Sequence, residues 1–348
     1  MRRQKAAYPE ILGSVCREVE MSATTHESPP VRHIYRFAEL DREPEGPCSA
    51  KVSPRRLLSG ETLATGKSTS VGAVVRGERV QVALVHKPRG TGSKIHTHPN
   101  EQFNYVIQGT LIADMDGQVF RVPKGHVVHI PAGMPHSHVS SAEEDVIFYA
   151  VKDTRHGIVG PPVDGVYNGP RHLPGFGPGD NEWKPGPDGL PEPQTKSLSG
   201  RKVQYVYDIE HLDAVPEGPT SAEVIPRNFI SKKSSSFGAA LRGEKVQVGH
   251  IHKGVGSGTK LHTHPNEQFS FVLSGTMIYE IDGHTAEAPP HSVTHLPPGI
   301  RHSAIASAAG DVLTFVAKDT SHGMSGPPVD GIEDGPVYLP GFGNKKQA

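Results

Sequence analysis

The chain contains one domain twice. From Ser70 to about Gly177 it aligns without a gap on Ser236 to Gly343, at a constant offset of 166 residues. VVRGERVQV (74–82) answers ALRGEKVQV (240–248), VKDTRHGIVGPPVDG (151–165) answers AKDTSHGMSGPPVDG (317–331), and both copies close on LPGFG. The upstream pieces RHIYRFAELD and QYVYDIEHLD also correspond, at an offset of 172. A period this long marks a duplicated domain rather than a solenoid. The expected organisation is a first domain over residues 31–176, a Pro/Gly-rich linker over 177–200 and a second domain over 201–343. Residues 1–30 and 344–348 read as a disordered N-terminal segment and a short tail, and Met21 opens a second plausible beginning.

Each copy reads as strands. VQVALVHK, KIHTH, QFNYVIQG, TLIADMDG, QVFRVPKG, HVVHIPAG and DVIFYAVKD are short apolar or alternating runs, punctuated by Gly109, Asp116-Gly117, Lys124-Gly125 and Ala132-Gly133. Asp282-Gly283 repeats the hairpin signal in the second copy. No stretch holds a 3.6-residue apolar period. The predicted class is all-β, with each domain a sandwich or barrel that closes off its edges.

Composition excludes several functions. Lysine plus arginine number 36 against 37 acidic residues, which leaves no positive field for a nucleic acid or an anionic membrane. No apolar run approaches the ~20 residues that span a bilayer. Only Cys16 and Cys48 are present, outside the repeats, so no disulfide framework exists and a reducing cytoplasm is the expected location.

The octapeptide HTHPNEQF stands at 96–103 and again at 262–269. Strand alternation places His96 and His98 on one face, with Lys94 on the same face and Thr97 on the other. His136 returns after a Pro-Gly turn, and Gln102 opens the following strand. The second copy supplies Lys260, His262, His264, Gln268 and His302 at the same spacings. Two same-face histidines and a third from a distant strand can form one face of a divalent-metal coordination sphere.

This pattern resembles the two motifs of the cupin superfamily. Gly90, His96, His98, Gln102 and Gly109, then Gly125, Pro131, Gly133 and His136, follow the family spacing. Gly256, His262, His264, Gln268 and Gly275, then Pro297, Gly299 and His302, follow it again. The resemblance covers both repeats and implies a bicupin, two tandem jelly-roll barrels. It also implies up to two divalent ions per chain (Zn, Ni, Mn or Fe), held by the two His3Gln sets. The chain departs from the family at His291, which replaces a glycine, and at the fourth ligand, where glutamine replaces the usual glutamate.

A neutral His3Gln set leaves the charge of a divalent ion uncompensated. That favours an anionic ligand and disfavours oxidation of the metal. The expected activity is Lewis-acid chemistry on a small oxygenated, enolisable or anionic molecule: isomerisation, cyclisation, elimination or hydrolysis. Dioxygenation by Fe or Mn, and ligand binding without turnover, are the alternatives. Glu101, Glu267 and His138 are candidate catalytic acids or bases. Lys94, Lys260, His86 and His252 are candidate substrate contacts. His129 and His295 read as structural, and the KDT-x-HG segments as fixed loops. Beyond the small-molecule substrate, the one partner expected is a further copy of the chain.

Overall fold

The computed structural model describes residues 30–60, 62–177, 182–184, 202–229 and 233–343. The expected N-terminal segment, most of the linker and the tail lie outside them. The described chain is all-β, its strands ordered in four sheets. Among the described residues, no helix is long and apolar enough to cross a membrane.

In the first repeat, Gln102–Gln108 pairs antiparallel with Val146–Asp153, which pairs with Val80–Lys87, then Val71–Arg76, then Lys51–Leu57. The second repeat builds the same sheet from Gln268–Ser274, Val312–Asp319, Val246–Lys253, Phe237–Arg242 and Glu223–Phe229. A smaller sheet closes each barrel: Gln118–Pro123, Thr110–Met115 and His136–Ser140 in the first, five strands around Met277–Ile281 in the second. Asp116-Gly117 and Asp282-Gly283 form the expected tight turns, each with both residues at positive φ. His291 holds φ +63°, the left-handed conformation that Gly125 supplies in the first repeat.

Two short strands cross between the repeats. Ile34–Arg36 pairs with Ser292–Leu296 of the second sheet, and Val206–Asp208 pairs with His126–Ile130 of the first. Each arm therefore pairs with the sheet of the other repeat, an exchange that sequence adjacency does not reveal. Each arm covers an edge that would otherwise offer unpaired N–H and C=O groups to another chain.

The large sheets are buried on both faces. Along Val80–Lys87, Val80 and Val82 face a core shared by the two repeats, while Ala83 and Val85 face the interior of their own barrel. The shared core is aromatic. Tyr149 stacks on Phe271 at 4.7 Å between ring centroids, and Tyr105 on Phe315 at 4.6 Å. Offset stacks of this kind add roughly 0.5–1.5 kcal/mol each beyond the area they bury.

Candidate metal centres

The three histidines of each repeat converge because their backbones do. His96 and His136 exchange two N–H···O bonds of 2.9 Å, which puts both side chains on one face. Their rings lie 4.2 Å apart, and His98 lies 4.8 Å from His136. His262, His264 and His302 repeat those spacings at 4.2 and 4.8 Å. In each trio the candidate ligand atoms all lie within 4.8 Å of one another.

Hydrogen bonds fix the tautomers. The Nδ1–H groups of His96, His98 and His136 donate to the carbonyls of Lys94, Asn100 and Met134 at 2.8–2.9 Å. Those of His262, His264 and His302 donate to Lys260, Asn266 and Ile300 at 2.8–3.0 Å. A carbonyl only accepts, so every Nδ1 carries the proton and every Nε2 presents a lone pair. The Nε2 atoms of His136 and His302 are buried and have no hydrogen-bond partner. Orphaned acceptors of this sort in a neutral imidazole cluster suit a divalent cation, and the donor set fits one.

Gln102 and Gln268 adjoin the trios. Gln102 Oε1 lies 3.1 Å from His98 Nε2 while its amide nitrogen donates to Asn104 at 2.6 Å. Gln268 does the same with His264 at 3.1 Å and Ser270 at 2.7 Å. Burial, reinforced by neighbouring cationic groups, holds His98 and His262 down to about 3 and His264 to about 4. His96, His136 and His302 lie well below the ordinary 6.5, again chiefly through burial. Neutral imidazoles are the form that ligates.

Beside each trio lies a small cavity, about 60 Å³ in the first repeat and about 80 Å³ in the second. His138 lines the first, its ring 5.4 Å from that of His136 and its Nε2 buried without a partner. Ala304 stands at that place in the second.

Six expected site residues lie elsewhere. Glu101 and Glu267 point away from the trios, as strand parity dictates, and no bulge brings them back. Glu101 accepts the backbone N–H groups of Glu244, Lys245 and Val246, and Glu267 those of Glu78, Arg79 and Val80. Each is also bonded to a histidine, His129 at 3.0 Å and His295 at 2.9 Å, so their carboxylates join the two repeats. Lys94 reaches the rim instead, where its ammonium meets Asp164 at 2.8 Å and Asn168 at 2.7 Å. Lys260 likewise meets Asp330 and Asp334, both at 2.8 Å. His86 pairs with Asp145 at 2.8 Å, and His252 stacks on Phe237 at 5.0 Å; both belong to the opposite face of their strands from the cavity.

The residues that do face the cavities are lysines. Lys67, Lys87 and Lys152 line the first, and Lys253 and Lys318 the second. Lys87 donates to Ser68 at 3.1 Å and Ser70 at 2.6 Å, and Lys253 to Ser234, Ser236 and Thr259. Lys152 sits directly across the sheet from Gln102, and Lys318 from Gln268. Burial lowers Lys87, Lys253 and Lys318 to about 7 and Lys67 to about 8. Lys152 is also pushed down by burial. No carboxylate among the described residues lines either cavity. A signal existed: lysine recurs at 67/233, 87/253 and 152/318. Because their strands are buried on both faces, alternation alone did not say which face was the cavity.

Duplicated barrels with paired histidine trios define a class of protein, the tandem metal-site β-barrels. The cupin domain family matches residues 83–152 and 249–319, one stretch in each repeat, so the chain carries two cupin domains in tandem. No curated protein sequence matches the chain. Among solved structures, oxalate decarboxylase from Bacillus subtilis at pH 4.6 is similar over 90% of this chain and 80% of that one, with TM-score 0.53 and 16% identity. Another structure of that enzyme, from work on its Mn(II) centres, gives 0.53 at 15% identity over 90% and 81%. AerE from Microcystis aeruginosa gives 0.49 at 12% identity over 72% and 92%. At such identities the likeness shows the fold alone.

Proposed function

We propose that the chain is a metal-dependent bicupin enzyme performing Lewis-acid, non-redox chemistry on a small anionic, oxygen-rich molecule. The observation that carries this reading is the pairing of a neutral His3Gln cluster with buried lysines in a cavity that no carboxylate among the described residues lines. Buried ammonium groups without counter-charge are costly, and an incoming carboxylate or enolate removes that cost. When bound, the metal supplies a Lewis acid that polarises an oxygen of the substrate. Lys87 and Lys152, or Lys253 and Lys318, would hold the substrate's negative charge and orient it towards the trio. In the first repeat His138 would hydrogen-bond the substrate through Nε2. Ser68 and Ser70, or Ser234 and Ser236, fix the lysine ends.

Volume narrows the substrate. About 60–80 Å³ is room for roughly five water-sized groups. A molecule of a few heavy atoms fits, so isomerisation, elimination or hydrolysis suits the cavity better than cyclisation of a long chain. The test combines elemental analysis with a screen of small keto, hydroxy and dicarboxylic acids under argon, followed by NMR. Bound divalent metal and turnover without oxygen support the reading. Turnover that stops under argon would move the chain to the dioxygenases, and purified protein that takes up no divalent ion would overturn metal dependence.

A further inference from the structure

The two cavities carry different charge. Lys67 is 2% exposed, lines the first cavity, and its Nζ has no hydrogen-bond partner. Its counterpart Lys233 is absent from the lining of the second cavity and forms an ion pair with Glu333 at 3.3 Å. The difference arises in one loop: GPPVDGVYN (160–168) answers GPPVDGIED (326–334), so exposed Tyr167 stands where Glu333 supplies the carboxylate. The first cavity is thus lined by three lysines, Lys67, Lys87 and Lys152, against two in the second, Lys253 and Lys318.

We infer that the first cavity binds a small dianion, of the dicarboxylate class, and the second a monoanion. This deepens the anionic-substrate reading above and rests on it. In the first repeat one carboxylate would face the metal trio with Lys87 and Lys152, and the other would meet Lys67, a buried lysine with no hydrogen-bond partner among the described residues. In the second repeat Glu333 already occupies the third lysine, and a second carboxylate finds no partner. The bound anion of each site thus differs by about one charge, although the metal-binding residues are identical.

Calorimetric titration of the metal-loaded full chain with malonate and with acetate, at neutral pH, tests the inference. Malonate should bind in two classes, one per chain at least roughly tenfold tighter than the other, whereas acetate should bind both sites alike. Lys67→Met should remove the tight malonate class and leave acetate binding in place. Glu333→Gln, at a half-exposed surface position, should tighten the weak class by a similar factor and carries the test even if Lys67→Met folds poorly. One class of malonate site in the wild type, a tight class surviving Lys67→Met, or unchanged malonate binding in Glu333→Gln would each overturn the charge difference. Failure of both anions to bind would instead overturn the anionic-substrate reading itself.

Discussion

Glu101 Oε1 lies 3.0 Å from His129 Nε2, inside one repeat, while the same carboxylate accepts three backbone N–H groups from the other. His129 is in turn bonded through Nδ1 to Ser221, beside the exchanged arm. The second repeat returns the arrangement with Glu267, His295 and Ser49. Each octapeptide therefore does two jobs: its histidines join the trio, and its glutamate clamps the β-turn of the partner repeat. A Cβ at Gly77 or Gly243 would run into the opposing carboxylate, which is why the turn reads RGE in both copies.

Removing the clamp should destabilise the fold without touching the cavity. Glu101→Ala leaves three backbone N–H groups, that of Val246 buried, and one buried histidine without their acceptor, a loss of roughly 3–5 kcal/mol. Glu101→Gln, which keeps one oxygen, should lose less. Denaturant unfolding measures both, and a Glu101→Ala protein as stable as wild type would refute the role assigned to this residue.

The clamp also sets the acid limit. Burial alone would raise the pKa of Glu101 and Glu267, but the histidine hydrogen bonds and charge, with the backbone N–H groups, outweigh it and hold both below the ordinary 4.5. As pH falls, the unfolded chain therefore takes up these protons first. Their contribution to stability is whole above about 4.5 and drains away as the pH drops through the lower folded-state values. Thermal melts across the acid range should show a fall that Glu101→Gln, and likewise Glu267→Gln, makes shallower.

Metal should stabilise the protein at two independent places. Ligand that binds only the folded state at a hundred times its Kd adds about 2.7 kcal/mol, so chelation should lower Tm by several degrees. His96→Ala and His262→Ala should each remove about one metal per chain and part of that effect. Loss of both ions in either single variant would show that the sites are not independent.

Buried lysines predict a trade between stability and binding. Lys87→Met deletes an ammonium that burial has pushed down to about 7 and leaves Ser68 and Ser70 bonded to each other at 2.7 Å. The metal-free variant should melt at or above the wild-type temperature while losing affinity for small carboxylates roughly tenfold or more. A variant that is less stable yet binds anions normally would assign Lys87 to the scaffold.

His138→Ala, which copies the second repeat at this position, should leave Tm and metal content near wild type. Its effect should fall on turnover at the first site, by a factor of roughly 10²–10⁴ if the ring handles a substrate proton. Unchanged turnover would remove His138 from the chemistry.

The sequence by itself determined the duplication, the all-β class, the turns at Asp116-Gly117 and Asp282-Gly283, and the two histidine trios. These follow from local pattern: alternation fixes a face, and spacing fixes which face recurs. What lies across a strand buried on both sides is a different question. Parity put Glu101 opposite His98 and Gln102, yet only the packed dimer of barrels shows that the far side is the partner repeat's turn. Parity likewise separated His86 from Lys87 without saying which one met the cavity. The exchanged arms at Ile34–Arg36 and Val206–Asp208 left no local trace at all, since an edge strand pairs equally well with its own sheet or its neighbour's. Tertiary structure decided these points because both faces of the large sheets are buried, and burial, which distinguishes interior from water, does not distinguish one interior from another.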